Sequence, residues 1–179
     1  MPSTKHTLVA LVEDKPGVLN RVASLFRRRG FNIESIAVGH SETPGLSRMA
    51  IVVDGATTAV EQVTKQLYKV INVVKISDIT EEGIVARELA LIKVKATPAT
   101  RSEIIQIVDI FRANIVDVAP DSLIIEVTGD EEKIDSLYQL LKGFGVREVS
   151  RTGRIALTRG AGSQSEEPPS RPSRRRVHF

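Results

Sequence analysis

The chain has 179 residues, of which 41% are hydrophobic, 26% charged and only 4% aromatic, a composition that suits an aliphatic-cored globular protein of one large domain or two small ones. With no cysteine, disulfides, thiolate nucleophiles and Cys-ligated zinc are excluded together. The net charge of +3 invites a nucleic-acid reading, but Arg171, Arg174, Arg175 and Arg176 against Glu166 and Glu167 carry +2 of it, and the body is nearly neutral. No apolar run approaches the ~20 residues that span a bilayer, and "MPSTKHTLVALVED" lacks the long apolar stretch of a signal peptide, so a cytoplasmic protein is expected.

His6 to Glu13 is an apolar, β-rich run with Leu8, Ala10 and Val12 on one face and Thr7, Val9 and Leu11 on the other, which predicts a strand covered on both faces. Leu19, Val22, Ala23 and Phe26 then follow helical spacing, with Pro16 suited to the first turn and Gly30 to the stop. Asn32 to Gly39 and Leu46 to Asp54 read as a hairpin across "SETPG". A second helical stripe through Val60, Val63, Leu67 and Val70 precedes the strand "NVVKISDIT". The order is βαββαβ.

Glu81 to Arg87 reads as a short connector, after which the order repeats. Glu88 to Ala96 is a strand, and Arg101 to Ala113 a helix behind Thr100 and Glu103 at capping-box spacing. Ile115 to Ala119 and Leu123 to Thr128 form a hairpin across "PDS". A helix with Asp130 as N-cap turns Ile134, Leu137, Tyr138 and Leu141 inward, and Val146 to Leu157 is β-like. The expected fold class is α+β, two ferredoxin-like βαββαβ sandwiches over residues 1–80 and 88–159, joined by a linker at 81–87. Residues 160–179, rich in Gly, Ser, Pro and Arg, are expected to be a disordered basic tail.

The turn "EDKPG" between the first strand and first helix has two readings. It shapes the chain reversal, or it binds a ligand: the backbone N–H groups of Gly17, Val18 and Leu19 at a helix N-terminus can receive a carboxylate, and Asp14 can pair with an ammonium group. A free amino acid carries both charges. Asn32 could offer its amide to the same ligand. If both helices of a half cover one sheet face, the other face needs a cover, which predicts a homodimer whose site forms where one copy's turn meets the other's second strand.

The run from His6 to Val53, with "RGFNIESI" and "LSRM" its more specific pieces, resembles an ACT domain, the amino-acid-binding regulatory module, and in particular that of acetolactate synthase (acetohydroxyacid synthase) small subunits. "RELALIKV", "IFRANIVDV" and "SRTGRIAL" extend the resemblance to roughly residues 5 to 160. It implies a noncatalytic subunit that activates a catalytic large subunit and confers feedback inhibition by valine, and in some members leucine or isoleucine. The cofactors, thiamine diphosphate, Mg2+ and FAD, would belong to that partner, with none on this chain and no metal site. By position, Asp14, Gly17 and Asn32 match the effector-site residues of the family, and Val18, Leu19 and Ile33 adjoin them. Leu11, Leu19 and Ile33 are expected to enclose a short branched side chain. The second half has "TPATRSE" where the first has the D-x-P-G turn, so one effector site type per chain is expected, with the second half left for partner contact.

Rival functions find little in the residues. His6, His40 and His178 are too scattered for a triad or a ligand cluster, and neither phosphate-binding glycine loop is present. A ferredoxin-like RNA-binding module would need aromatics on its strands, whereas Phe26, Phe111, Tyr138 and Phe144 lie on or beside helices. The arginine-rich tail and an ACT-type sensor serving another partner are the alternatives to be weighed.

Overall fold

A computed structural model of the chain describes residues 5–160. The expected basic tail lies outside them.

Thirteen elements follow one another: β1 (Lys5–Glu13), α1 (Val18–Arg28), β2 (Ile33–His40), β3 (Leu46–Asp54), α2 (Thr57–Leu67), β4 (Val73–Asp78), β5 (Ile84–Lys95), α3 (Arg101–Ile110), β6 (Asn114–Ala119), β7 (Ser122–Gly129), α4 (Glu131–Lys142), β8 (Val146–Arg151) and β9 (Ile155–Thr158). The first four strands form an antiparallel sheet in the order β2-β3-β1-β4, and the second sheet repeats it as β6-β7-β5-β8. This is the twofold βαββαβ architecture, class α+β, that the sequence pattern predicts.

In the first unit Leu8, Ala10 and Val12 of β1 and Met49, Ile51 and Val53 of β3 face the helices and meet Val18, Val22 and Phe26 of α1 and Val60, Val63 and Leu67 of α2. The inward stripe of α1 therefore runs through Val18, Val22 and Phe26, and Leu19 is 47% exposed rather than part of it. Val18 and Leu19, 100° apart, both adjoin Val22 on the helix surface at i−4 and i−3, and it is Val18 that the core takes. Pro16 lies before the helix and Gly17, at φ 82°, is its N-cap. At the other end Gly30, at φ 73°, lets Phe31 N–H reach the Phe26 carbonyl (3.1 Å) and its own N–H reach that of Arg27 (3.1 Å), closing the helix with a Schellman turn.

The second core gathers Ala90, Ile92 and Val94 of β5, Ile104 and Val108 of α3, Leu123, Ile125 and Val127 of β7, and Ile134, Leu137 and Leu141 of α4. Asp130 caps α4 through Lys133 N–H (2.9 Å), as expected, but Thr100 does not cap α3. Its Oγ1 accepts instead from Thr97 N–H (3.0 Å), because its backbone is already α-like (φ −103°, ψ −14°) and the hydroxyl turns back into the preceding loop. Two further differences concern β5. Ile84 to Arg87, part of the expected connector, extend that strand and pair with β9, and the run from Val146 to Leu157 is broken at Thr152–Arg154, where Gly153 takes φ 82°. There the chain bulges by one residue and continues in the same direction, so that β8 (Arg151 opposite Ala90) and β9 (Ile155 opposite Arg87) are both antiparallel to β5.

Candidate functional site

β1 delivers its carboxyl end to a turn fixed mainly by backbone bonds. Glu13 N–H donates to the Asn72 carbonyl (2.8 Å), Asp14 N–H to that of Gly45 (2.9 Å), and Lys15 N–H to that of Glu13 (3.0 Å). Side chains reinforce it: Asn72, buried, donates to Glu13 Oε2 (2.6 Å) and accepts from Arg21, while Lys15 pairs with Glu13 (3.1 Å). Glu13 is thus a structural acid. Asp14 points outward, half-exposed, with His40 Nδ1 3.3 Å from Oδ2.

The N-cap at Gly17 assigns the four amides without an intrahelical acceptor to Gly17, Val18, Leu19 and Asn20. Val18 N–H makes only a long bond, 3.4 Å, to the Lys15 carbonyl. A Cβ on Gly17 would meet nothing within 4 Å, so the site is open there and the glycine is demanded by its positive φ. α1 has no acidic residue in its first turn, and its dipole is left uncompensated toward any approaching anion. The arrangement offers oriented donors and, one turn back, a single carboxylate.

Of the residues singled out in the sequence, Asp14, Gly17 and the exposed Leu19 share this turn, Val18 gives its side chain to the core, and Asn32 and Ile33 are elsewhere. The sheet register fixes that distance: Ile33 pairs with Val53 and Val53 with His6, whereas Glu13 pairs with Leu46 at the opposite end. Seven residues of β1 separate the two levels, about 23 Å at ~3.3 Å per residue. Within one chain Leu11, Leu19 and Ile33 consequently enclose nothing in common. His40, exposed at the last position of β2, sits at Asp14. Because β1 and β2 run parallel on either side of β3, the last residue of β2 must arrive where β1 ends.

Other chemistry is sparse. Among the described residues no three His, Asp or Glu side chains gather as a metal ion requires, no strand carries an aromatic, and no helix is long and apolar enough to cross a membrane. A cleft lined by Lys5, Glu131, Glu132, Asp135, Ser136 and Gln139 lies at the opposite end of β1 from Asp14.

Residues 8–75 match the family described as "AHAS small subunit-like ACT domain", and residues 87–160 match "Small subunit of acetolactate synthase". The chain is 58% identical to the "Probable acetolactate synthase small subunit" of Archaeoglobus fulgidus over 87% of its own length and 98% of that protein. It is 54% identical to the "Acetolactate synthase small subunit" of Mycobacterium bovis, covering 89% of this chain and 95% of the relative. The crystal structure of the acetolactate synthase small subunit from Thermotoga maritima aligns with a TM-score of 0.81 at 47% identity, over 88% of this chain and 98% of that one. Such coverage takes in both βαββαβ units. With two family matches that leave only a short connection between them, an ACT-type turn in the first unit and relatives matched almost end to end, the chain belongs to the family of acetolactate synthase small, regulatory subunits.

Proposed function

We propose that this chain is noncatalytic, activates a thiamine-diphosphate-dependent catalytic subunit, and makes it sensitive to valine, with leucine and isoleucine as weaker effectors. Thiamine diphosphate, Mg2+ and FAD belong in this reading to the partner. The effector carboxylate rests on the helix-terminal amides of Gly17 to Asn20, its ammonium displaces His40 from Asp14, and Asn32 and Ile33 of a second copy close the site. Leu19 gives the aliphatic side chain an exposed apolar neighbour. Selectivity among the three amino acids is modest, since one methylene is worth ~1–3 kcal/mol in an apolar pocket.

The observation that carries this reading is the register. The turn and Asn32 lie at opposite ends of parallel strands, and β2 is the edge of its sheet. An antiparallel β2 pair from two copies would bring the start of one β2 beside the end of the other, and so Asn32 of one copy toward Asp14 of its neighbour. The second unit has no equivalent turn: Thr97 and Thr100 bond to each other, and Glu103 in the first turn of α3 opposes a carboxylate.

The test is calorimetry of the chain with valine, leucine and isoleucine, together with a synthase assay of the reconstituted holoenzyme. Saturable binding with valine tightest, and inhibition by valine only when this chain is present, are expected. Heatless titrations with all three would overturn the assignment.

A further inference from the structure

The effector reading ends at β2, but β2 does not. Directly after Asn32 and Ile33 come Glu34 and Ser35, and both are held by residues tied to the second unit. Arg154 N–H donates to Ser35 Oγ (2.8 Å), and its guanidinium donates to Thr7 Oγ1 (3.2 Å) on β1 and to Glu131 at the start of α4. Lys5 bridges Glu131 (2.8 Å) and Glu34 (3.0 Å). Two cations and two anions therefore interleave across the seam. Arg154 is the least exposed of the four, at 18% of its side chain.

The fit is as tight in the backbone as in the charges. A Cβ on Gly153 would lie 2.7 Å from Ser35 Oγ and 3.2 Å from the Ile36 carbonyl oxygen, and φ is 82° besides. Only glycine lets the Thr152–Arg154 turn lie on β2 in this way. A seam of directional bonds and paired charges differs from an apolar one in that a small displacement of either side breaks it, since hydrogen bonds weaken steeply with distance and angle. Ser35 is three residues from Asn32, about 10 Å along the strand.

We infer that Arg154 is a coupling residue: seated on Ser35, Thr7 and Glu131, it transmits effector occupancy at the start of β2 to the second unit. This rests on the effector reading above. A displacement of β2 on ligand binding changes the seat of the Thr152–Arg154 turn, which is continuous with both β8 and β9, so the second unit receives it through two strands of one sheet system. The guanidinium fork is what allows Thr7 and Glu131 to be held together.

The experiment uses the full chain with its catalytic subunit. Valine affinity is measured by calorimetry for the chain alone and for the holoenzyme, beside valine inhibition of the synthase. In the wild type, adding the catalytic subunit shifts valine affinity by the coupling factor, several-fold to about a hundredfold. In Arg154→Ala the chain alone is expected to bind valine within about threefold of wild type, while that factor collapses toward one and inhibition is lost. Arg154→Lys, which keeps the charge and loses the fork, is expected to restore part of it. Unchanged inhibition in Arg154→Ala overturns the inference, and so does parallel loss of binding and inhibition, which would mark a merely structural role. Should Arg154→Ala fail to activate the catalytic subunit, Ser35→Ala removes one hydroxyl and carries the same expectation: retained inhibition there overturns it. A wild-type chain that binds no branched-chain amino acid refutes the effector reading itself, a failure distinguishable because it needs no variant.

Discussion

The two βαββαβ units share strand order and helix placement, yet their helix-free sheet faces differ. In the first, Thr7, Ala50 and Val52 point away from the helices and are nonetheless buried. In the second, the corresponding face of β5 shows Leu91 at 39%, and the β5–β9 ribbon shows Ile155 and Leu157, each at 60%. The strand-to-helix turns differ in the same sense, one with Gly17 at positive φ beside an outward acid, the other closed on itself by Thr97 and Thr100. One topology thus supplies a helix-free sheet face that is buried in the first unit and one that leaves apolar side chains exposed in the second. The difference lies in a few side chains, with the strand order unchanged.

The sharpest test of that contrast is a charge on each open face. Val52→Asp places an unpaired carboxylate where 2% of the residue is exposed, and a loss of roughly 3–5 kcal/mol is expected, read as a lowered urea midpoint. Leu91→Asp, at a residue already 39% exposed, should cost less, about 1–2 kcal/mol, by the same measurement. Equal effects would erase the distinction between the faces.

Next in size are the turns. Asp14→Ala removes the proposed ammonium partner, and a charged hydrogen bond of ~1.5–3 kcal/mol corresponds to a valine affinity weaker by roughly ten- to a hundredfold in calorimetry. Gly17→Asp adds strain and a repelling acid, and a holoenzyme insensitive to valine is expected. Thr97→Ala in the second unit should leave valine inhibition as it was. If the three variants respond alike, the site is not confined to the first unit.

The helix caps give a smaller effect. Asp130→Ala, which deletes the bond from Lys133 N–H, should cost about 0.5–2 kcal/mol in thermal or urea unfolding. Thr100→Ala deletes no cap bond and should cost less.

The smallest effect concerns acid. Burial raises the Asp78 pKa, but hydrogen bonds from the Thr80 hydroxyl and amide and from His6 outweigh it, and the net shift is downward. A carboxyl whose folded pKa is depressed adds stability above its unfolded pKa of ~3.9 and loses it as the pH falls through the folded value. The stability gap between wild type and Asp78→Asn should accordingly be present at pH 7 and shrink as the pH falls below the unfolded pKa and through the depressed folded one, by urea midpoints across that range. A gap that widens in acid would reverse the sign assigned here.

The fold was legible because burial repeats with the period of each element. Leu8, Ala10 and Val12 alternate, and Val60, Val63 and Leu67 recur with helical spacing, so element type and order follow from the pattern. What the pattern leaves open is phase and ends. The choice of Val18 over Leu19 for the inward stripe of α1 depends on how the helix is rolled against the sheet, and Gly17 as N-cap is a matter of one positive φ that composition does not encode. That Asp14 and Gly17 share one turn was legible, since adjacency in sequence made them neighbours. Asn32 could be named but not placed, because its distance from that turn is a property of β1–β3–β2 register. His40, and the seam between Arg154, Glu131 and Lys5, depend on contacts more than 20 residues apart in the chain, to which periodicity is blind.

The 23 Å between Asn32 and the turn has a thermodynamic corollary. If the effector site is completed by two copies, as proposed, its affinity depends on how much of the chain there is: dilution toward monomer withdraws half of the binding groups, and by mass action the ligand in turn favours assembly. Under that proposal, potency measured at assay concentrations reports subunit association together with recognition.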